Sequence, residues 1–183
     1  MKETINKSDL DNLTSTFKSC ETTLNNFNSL KNFISYFITE SPKQLKGSGY
    51  DAIRDKIGEF ETALYQAKNL SQGIGEIKTA NSNIINAMGG SSSVTYSKQI
   101  LDELKHHLNN LRIEEVPTYK DEDAVDFNRR LREARRRYYE LRKELIEKIA
   151  IIEDTMNAAS SASSVVESCS SSVEQLHEKI SSI

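Results

Sequence analysis

From about Asp121 to Ile183 the chain runs without a single proline or glycine, and apolar residues return every three or four positions throughout. They are Ala124, Phe127, Leu131, Ala134, Tyr138, Leu141, Leu145, Ile149, Ile152, Met156, Ala159, Ala162, Val166, Cys169, Val173, Leu176, Ile180 and Ile183. That rhythm predicts one helix, about 95 Å long at 1.5 Å per residue. So long a rod constrains the rest of the chain, which must lie along it or leave its apolar stripe for another molecule. Two consecutive steps of four at 141, 145 and 149, and two of three at 156, 159 and 162, break strict heptads. The expectation is a bundle helix and not a uniform coiled coil.

Upstream, the stretch from Glu40 to Asp51, Glu-Ser-Pro-Lys-Gln-Leu-Lys-Gly-Ser-Gly-Tyr-Asp, separates two further periodic runs. The first carries Leu10, Leu13, Phe17, Cys20, Leu24, Phe27, Ile34 and Phe37, widened by Leu30, Phe33 and Ile38, and is expected to start at Ser8. The second carries Tyr50, Ile53, Ile57, Phe60, Leu64, Ala67, Leu70, Ile74, Ile77, Ile84, Ile85 and Met88. Pro and Gly punctuation between two helical runs reads as the bend of a helical hairpin. Here Ser41 is expected to cap a short turn opened by Pro42, and Leu45 to plug the seam. Gly47 supplies a positive φ, and Ser48 with Asp51 starts the second helix as a short capping box.

Leu45-Lys46-Gly47, followed by Ser48-Gly49-Tyr50-Asp51-Ala52-Ile53-Arg54 and preceded by a long amphipathic helix, resembles the N-terminal Leu-x-Gly (LXG) domain of Gram-positive polymorphic toxins. Such domains are similar to the smaller Trp-x-Gly hairpin proteins exported by the type VII secretion system, with Leu in place of Trp at the bend. In architecture the resemblance covers most of the chain; in residues it covers about 40 to 54. It implies a non-catalytic targeting domain that binds small helical-hairpin partners and leaves the cell with them, without a cleavable signal peptide. Type VII substrates or their partners often carry Tyr-x-x-x-Asp/Glu, matched here by Tyr36 to Glu40 and by Tyr119 to Asp123. Tyr119 and Asp123 are the candidate export signal, with a signal supplied by a partner as the alternative.

The composition agrees with long helices. Among 183 residues there are two prolines, seven glycines, no tryptophan and 37% hydrophobic residues, enough to bury stripes rather than a sphere. A formal net charge of −3 argues against general affinity for nucleic acid or anionic membrane. No apolar run follows Met1-Lys2-Glu3-Thr4, and no window is apolar enough for a membrane span. From the residues alone the expectation is a cytoplasmic protein; the resemblance implies a secreted one. Cys20 and Cys169 both fall on apolar seams and read as buried thiols.

One domain is expected over 1–183: a hairpin over 1–88, a flexible connection over 89–95, and a short helix with the long one over 96–183. Leu101, Leu104, Leu108 and Leu111 place the short helix, which is expected to stop at Val116-Pro117. Gly73 and Gly75 inside the second helix mark a bend, a close helix crossing or a weak point, with packing favoured over a functional hinge. The Ala- and Ser-rich residues 157–172 read either as poorly formed or as a place where a second helix comes near.

No set of residues offers catalysis, a cofactor or a metal site. The adjacent His106 and His107 point about 100° apart on a helix, and nothing at ligand spacing joins them. Asp121, Glu122, Asp123 and Asp126 look like an acidic helix start that answers the helix dipole. Arg129, Arg130, Arg132, Arg135, Arg136, Arg137, Arg142 and Lys143, with Tyr138 and Tyr139 among them, form a basic band. It reads as a solvated face supported by pairs from Asp126 to Arg130, Glu133 to Arg137 and Glu144 to Lys148, or as a band for an acidic partner, with nucleic acid a weaker reading given the net charge.

Helices of about 50, 60, 30 and 95 Å do not make a compact four-helix bundle of equal rods. The elongated all-α bundle expected here has spare apolar seam, and each large side chain left wet forfeits roughly 1.5–3 kcal/mol. The surplus is expected to bind helices of another chain through Phe17, Phe27, Phe37, Val166, Val173, Leu176 and Ile180. The alternative is a cytoplasmic structural or regulatory coiled-coil protein whose seam makes a homodimer.

Overall fold

The computed structural model describes residues 2–121 and 123–182, leaving out the side chains of Phe27, Asn28 and Gln44. Glu122, Ile183 and the Phe27 side chain, all named above, therefore lie outside the described residues. The order is β1 (Glu3–Asn6), α1 (Lys7–Gln44), α2 (Ser48–Ala87), β2 (Ser93–Tyr96), α3 (Lys98–Asn110) and α4 (Ala124–Ser181). The fold is all-α, with one two-stranded sheet among the described residues. At 58 residues against 13, α4 exceeds α3 by more than the expected factor.

Two stretches expected as irregular are strands instead. β1 and β2 pair antiparallel, with Ile5 opposite Val94 and Glu3 opposite Tyr96. The Thr4 and Thr95 hydroxyls lie 3.0 Å apart, and the Tyr96 phenol donates to Glu3 Oε2 at 2.8 Å. β-branched and aromatic residues suit this pairing, so the expected flexible connection over 89–95 is a turn that runs into a strand. Burial, followed by the hydrogen bond and charge of Glu3, pushes the Tyr96 phenol up to about 12.

At the bend, α1 runs on through Pro42 to Gln44, so Pro42 does not open a new turn. The Ser41 carbonyl instead accepts the Leu45 N–H at 2.7 Å, and its hydroxyl is buried without a partner. Pro42 is tolerated because only the bond its missing N–H would make to the preceding turn is lost, close to the helix end. Gly47 takes φ +124°, and its carbonyl accepts the N–H groups of Tyr50 and Asp51. Gly47, not Ser48, therefore holds the cap position. Leu45 is 36% exposed and does not plug the seam.

Packing divides the chain into two compact units, one of residues 1–6 and 87–157, the other of 7–86 and 158–183. The first holds the sheet, α3 and the first half of α4, around Met88, Val94, Ala134, Leu145, Ile149, Ile152 and Thr155. Gly89 is required there twice over: its φ is +59°, and a Cβ would meet Ile151 Cδ1 at 3.0 Å. Ser97 caps α3 by accepting the Ile100 N–H at 3.1 Å. α3 ends at Asn110, short of Val116-Pro117, because Arg112 Nη1 donates to the carbonyls of Asn109 and Leu111, both at 2.9 Å. Residues that would have formed another turn run alongside α4, where Arg130 donates to the Pro117 carbonyl at 2.8 Å and Arg137 pairs with Glu114.

In the second unit α1 and α2 lie antiparallel, shown by Ser35 to Glu61 at 2.8 Å and by Lys78 to Glu21 at 3.0 Å. Buried Asn81 fixes their register by donating from Nδ2 to the Leu10 carbonyl and to Thr14 Oγ1, both at 2.8 Å. A single satisfied amide in an apolar seam penalises every slipped pairing. Leu24, Ala67, Ile74 and Cys169 form a buried cluster of α1, α2 and α4, with Phe17, Cys20, Leu70, Ile77 and Leu176 packed against it.

Candidate docking surface

The second unit changes character along its length. Near Cys169 three helices meet, and a Cβ on Gly73 would stand 3.2 Å from Cys169 Sγ. Gly73 therefore marks the close crossing expected of it, while a Cβ on Gly75 would meet nothing within 4 Å. The Ala- and Ser-rich part of α4 is helical here, and its small side chains let α2 approach. Cys20 and Cys169 are free thiols, half-buried and buried. Burial first, and then the charge of Glu76, push the Cys169 thiol up from its ordinary range, which keeps it protonated and unreactive at neutral pH.

Towards the bend, the last turns of α4 reach the level of Glu59 and Thr62, where these two residues line a cleft with Lys179 and Ser182. Beyond that level α1 and α2 continue as a pair. Two helices share one seam, so stripes wider than that seam stay wet. Phe33 and Tyr36 on α1 are 66% and 68% exposed; Tyr50, Ile53 and Phe60, at steps of three and seven on α2, are 42–50% exposed. Phe37, Ile38 and Ile57 beside them are half-buried. Polar groups frame the patch: Lys31 stands over the Tyr65 ring at 5.7 Å, and Lys43 pairs with Glu40 at 2.7 Å. Concentrated exposed aromatic and aliphatic side chains of this kind characterise surfaces that meet another macromolecule.

The residues proposed from sequence as anchors fall into separate places. Phe17 and Leu176 pack on the Cys169 cluster, and Phe37 is half-buried on the tip of α1. Val166, Val173 and Ile180, seven residues apart, are about half exposed along one flank of α4. The inward rhythm of α4 is Ala162, Val165, Cys169, Ser172 and Leu176, one residue out of step with Val166 and Val173. Of the candidate export pair, Asp123 accepts the N–H groups of Val125 and Asp126 as the cap of α4, and exposed Tyr119 lies under the Arg130 guanidinium at 4.7 Å. Tyr36 to Glu40 is one turn of α1.

Phe33, Tyr50, Ile53 and Phe60 were legible as seam residues but not as an open surface. Tyr50 and Ile53 lie beyond the end of α4, while Phe33 and Phe60 stay exposed at the level it reaches; neither fact is contained in a one-helix pattern. Among the described residues no three His, Cys, Asp or Glu side chains gather where a metal ion could be held, and no helix is long and apolar enough to cross a membrane. Comparisons with protein-family models, with curated proteins and with solved structures gave no match.

Proposed function

We propose that this chain is a non-catalytic targeting domain of the Leu-x-Gly type, which binds small helical-hairpin proteins and is exported with them by a type VII secretion system. One observation carries the reading: the exposed apolar side chains of the hairpin towards its bend, with Phe33, Tyr36 and Phe60 at the level where α4 ends and Tyr50 and Ile53 beyond it, beside the Leu45-Lys46-Gly47 bend. A helical hairpin laid against that tip would bury side chains that the chain leaves wet, each worth roughly 1.5–3 kcal/mol when fully covered. The resemblance at the bend names the kind of partner. Tyr119, four residues before the α4 cap Asp123 and exposed, is the candidate for recognition by the export machinery.

Co-expression with the small helical proteins encoded beside its gene tests the reading. The expected result is a stable complex of defined stoichiometry that Phe33→Ser with Ile53→Ser abolishes. A chain that stays alone with every such partner, or that forms only a homodimer through the same residues, contradicts it. A secretion assay on Tyr119→Ala then separates a signal on this chain, which would be lost, from one supplied by the partner, which would not.

A further inference from the structure

The basic band of α4 lies in the other unit and serves nothing above. Its cations divide into two groups. Arg129 pairs with Asp126 at 2.9 Å, Arg136 with Glu140 at 3.5 Å and Lys143 with Glu147 at 3.7 Å, while Arg130 and Arg137 hold the segment before α4. Arg132, Arg135 and Arg142 reach no acidic side chain among the described residues; Arg132 donates to the Asn128 carbonyl of its own helix. At 100° per residue these three share an arc about 100° wide with Val125, Tyr139 and Ile146. All six are exposed, Val125 at 71% and Tyr139 at 63%.

No carboxylate of α4 falls on that arc between Val125 and Ala150. Asp126, Glu133, Glu140, Glu144 and Glu147 all fall on the neighbouring side, within about 60° of one another. Arginines lie on both sides, but on the flank of Arg132, Arg135 and Arg142 no carboxylate of this stretch stands beside them. Along the arginine flank, Val125, Arg132, Tyr139 and Ile146 recur every seven residues, the interval at which two helices stay in contact. The flank also borders an open cleft of about 580 Å³ lined by Leu111, Arg112, Ile113, Tyr138, Tyr139 and Arg142, in which the two tyrosine rings meet edge to face at 5.3 Å.

We infer that this flank is a docking surface for an acidic amphipathic helix of another protein. The partner's apolar residues pack on Val125, Tyr139 and Ile146, and its carboxylates meet Arg132, Arg135 and Arg142. Arginine's planar fork suits bidentate carboxylate pairing, and an exposed tyrosine supplies apolar area with few rotamers to lose. A phosphate backbone is the poorer fit, since the acidic flank runs beside the arginines and the chain as a whole carries a formal charge of −3. The surface is independent of the hairpin tip, and stands or falls without it.

The test uses a fluorescent synthetic helical peptide with Leu at every seventh position and Glu flanking it, the same peptide with Gln for each Glu, and single-stranded polyuridine. The Glu peptide is expected to bind the whole chain and to weaken as salt is raised. Arg132→Gln/Arg135→Gln/Arg142→Gln should lose roughly tenfold or more, and Arg129→Gln/Arg136→Gln/Lys148→Gln, off the arc and with the same net charge, no more than about threefold. Circular dichroism checks that both variants keep their helices. Equal losses from the two variants, equal binding of the Gln peptide, or a tighter complex with polyuridine would each overturn the inference.

Discussion

The hairpin stem and the hairpin tip are made of the same two helices, with the same spacing of apolar residues, yet one is a core and the other a surface. In the stem, Leu24, Ala67 and Ile74 are closed over by Cys169 and Leu176 of α4. Towards the tip, where α4 ends, Phe33, Tyr36, Ile53 and Phe60 stay exposed. The difference teaches that periodicity specifies an apolar stripe but not its cover, because cover depends on where a third element lies. A stripe is a core only where something else closes it.

Substitutions in the stem should therefore be costly, and those at the tip nearly free in the isolated chain. The largest effect is expected of Leu24→Ala, which empties the centre of the three-helix cluster and should lower stability by about 2–5 kcal/mol, measured by urea unfolding followed through the helix signal. Asn81→Ala removes both donors that fix the register of α1 on α2 and should cost about 1–3 kcal/mol. A cost near zero would mean that the apolar stripes set the register unaided.

Gly73 and Gly75 of α2 sharpen the contrast within a single turn. Gly73→Leu pushes a side chain against Cys169 and should destabilise by about 1–3 kcal/mol. Gly75→Ala meets open space and should stabilise by up to about 1 kcal/mol through helix propensity alone. Titration gives a smaller effect of known sign. Because the folded Cys169 thiol holds its proton to higher pH than the unfolded one, the stem should keep its full stability below the ordinary thiol range and lose some as pH rises above it. Cys169→Ser should remove that slope.

Much of the fold was legible for a simple reason: four helices carry three-four rhythms, and prolines and glycines concentrate near their ends. The bend at Gly47 was legible because only glycine takes φ +124° without strain. The sheet was not, since strands of four residues are too short for a period of two to stand out. Asn81 was hidden for the opposite reason, a polar side chain buried in a seam where the pattern expects polar residues to face water. On α4 the larger Val173 drew the seam away from Ser172, although the smaller residue faces inward and permits a close approach. Among the pairs the helix does make, Arg129 joins Asp126 at i,i+3 and Arg137 reaches Glu114, outside the helix. For the docking surface, sequence offered Phe17 and Leu176, which the stem core uses, and passed over Phe33 and Ile53, which it does not.

The most direct trial of that division is urea unfolding of Phe33→Ser/Ile53→Ser/Phe60→Ser beside the unsubstituted chain. If these side chains are surplus to the fold and kept for another molecule, the triple variant should unfold within about 1 kcal/mol of the parent, as exposed substitutions do. A loss as large as that of Leu24→Ala would place the tip inside a core and contradict the account.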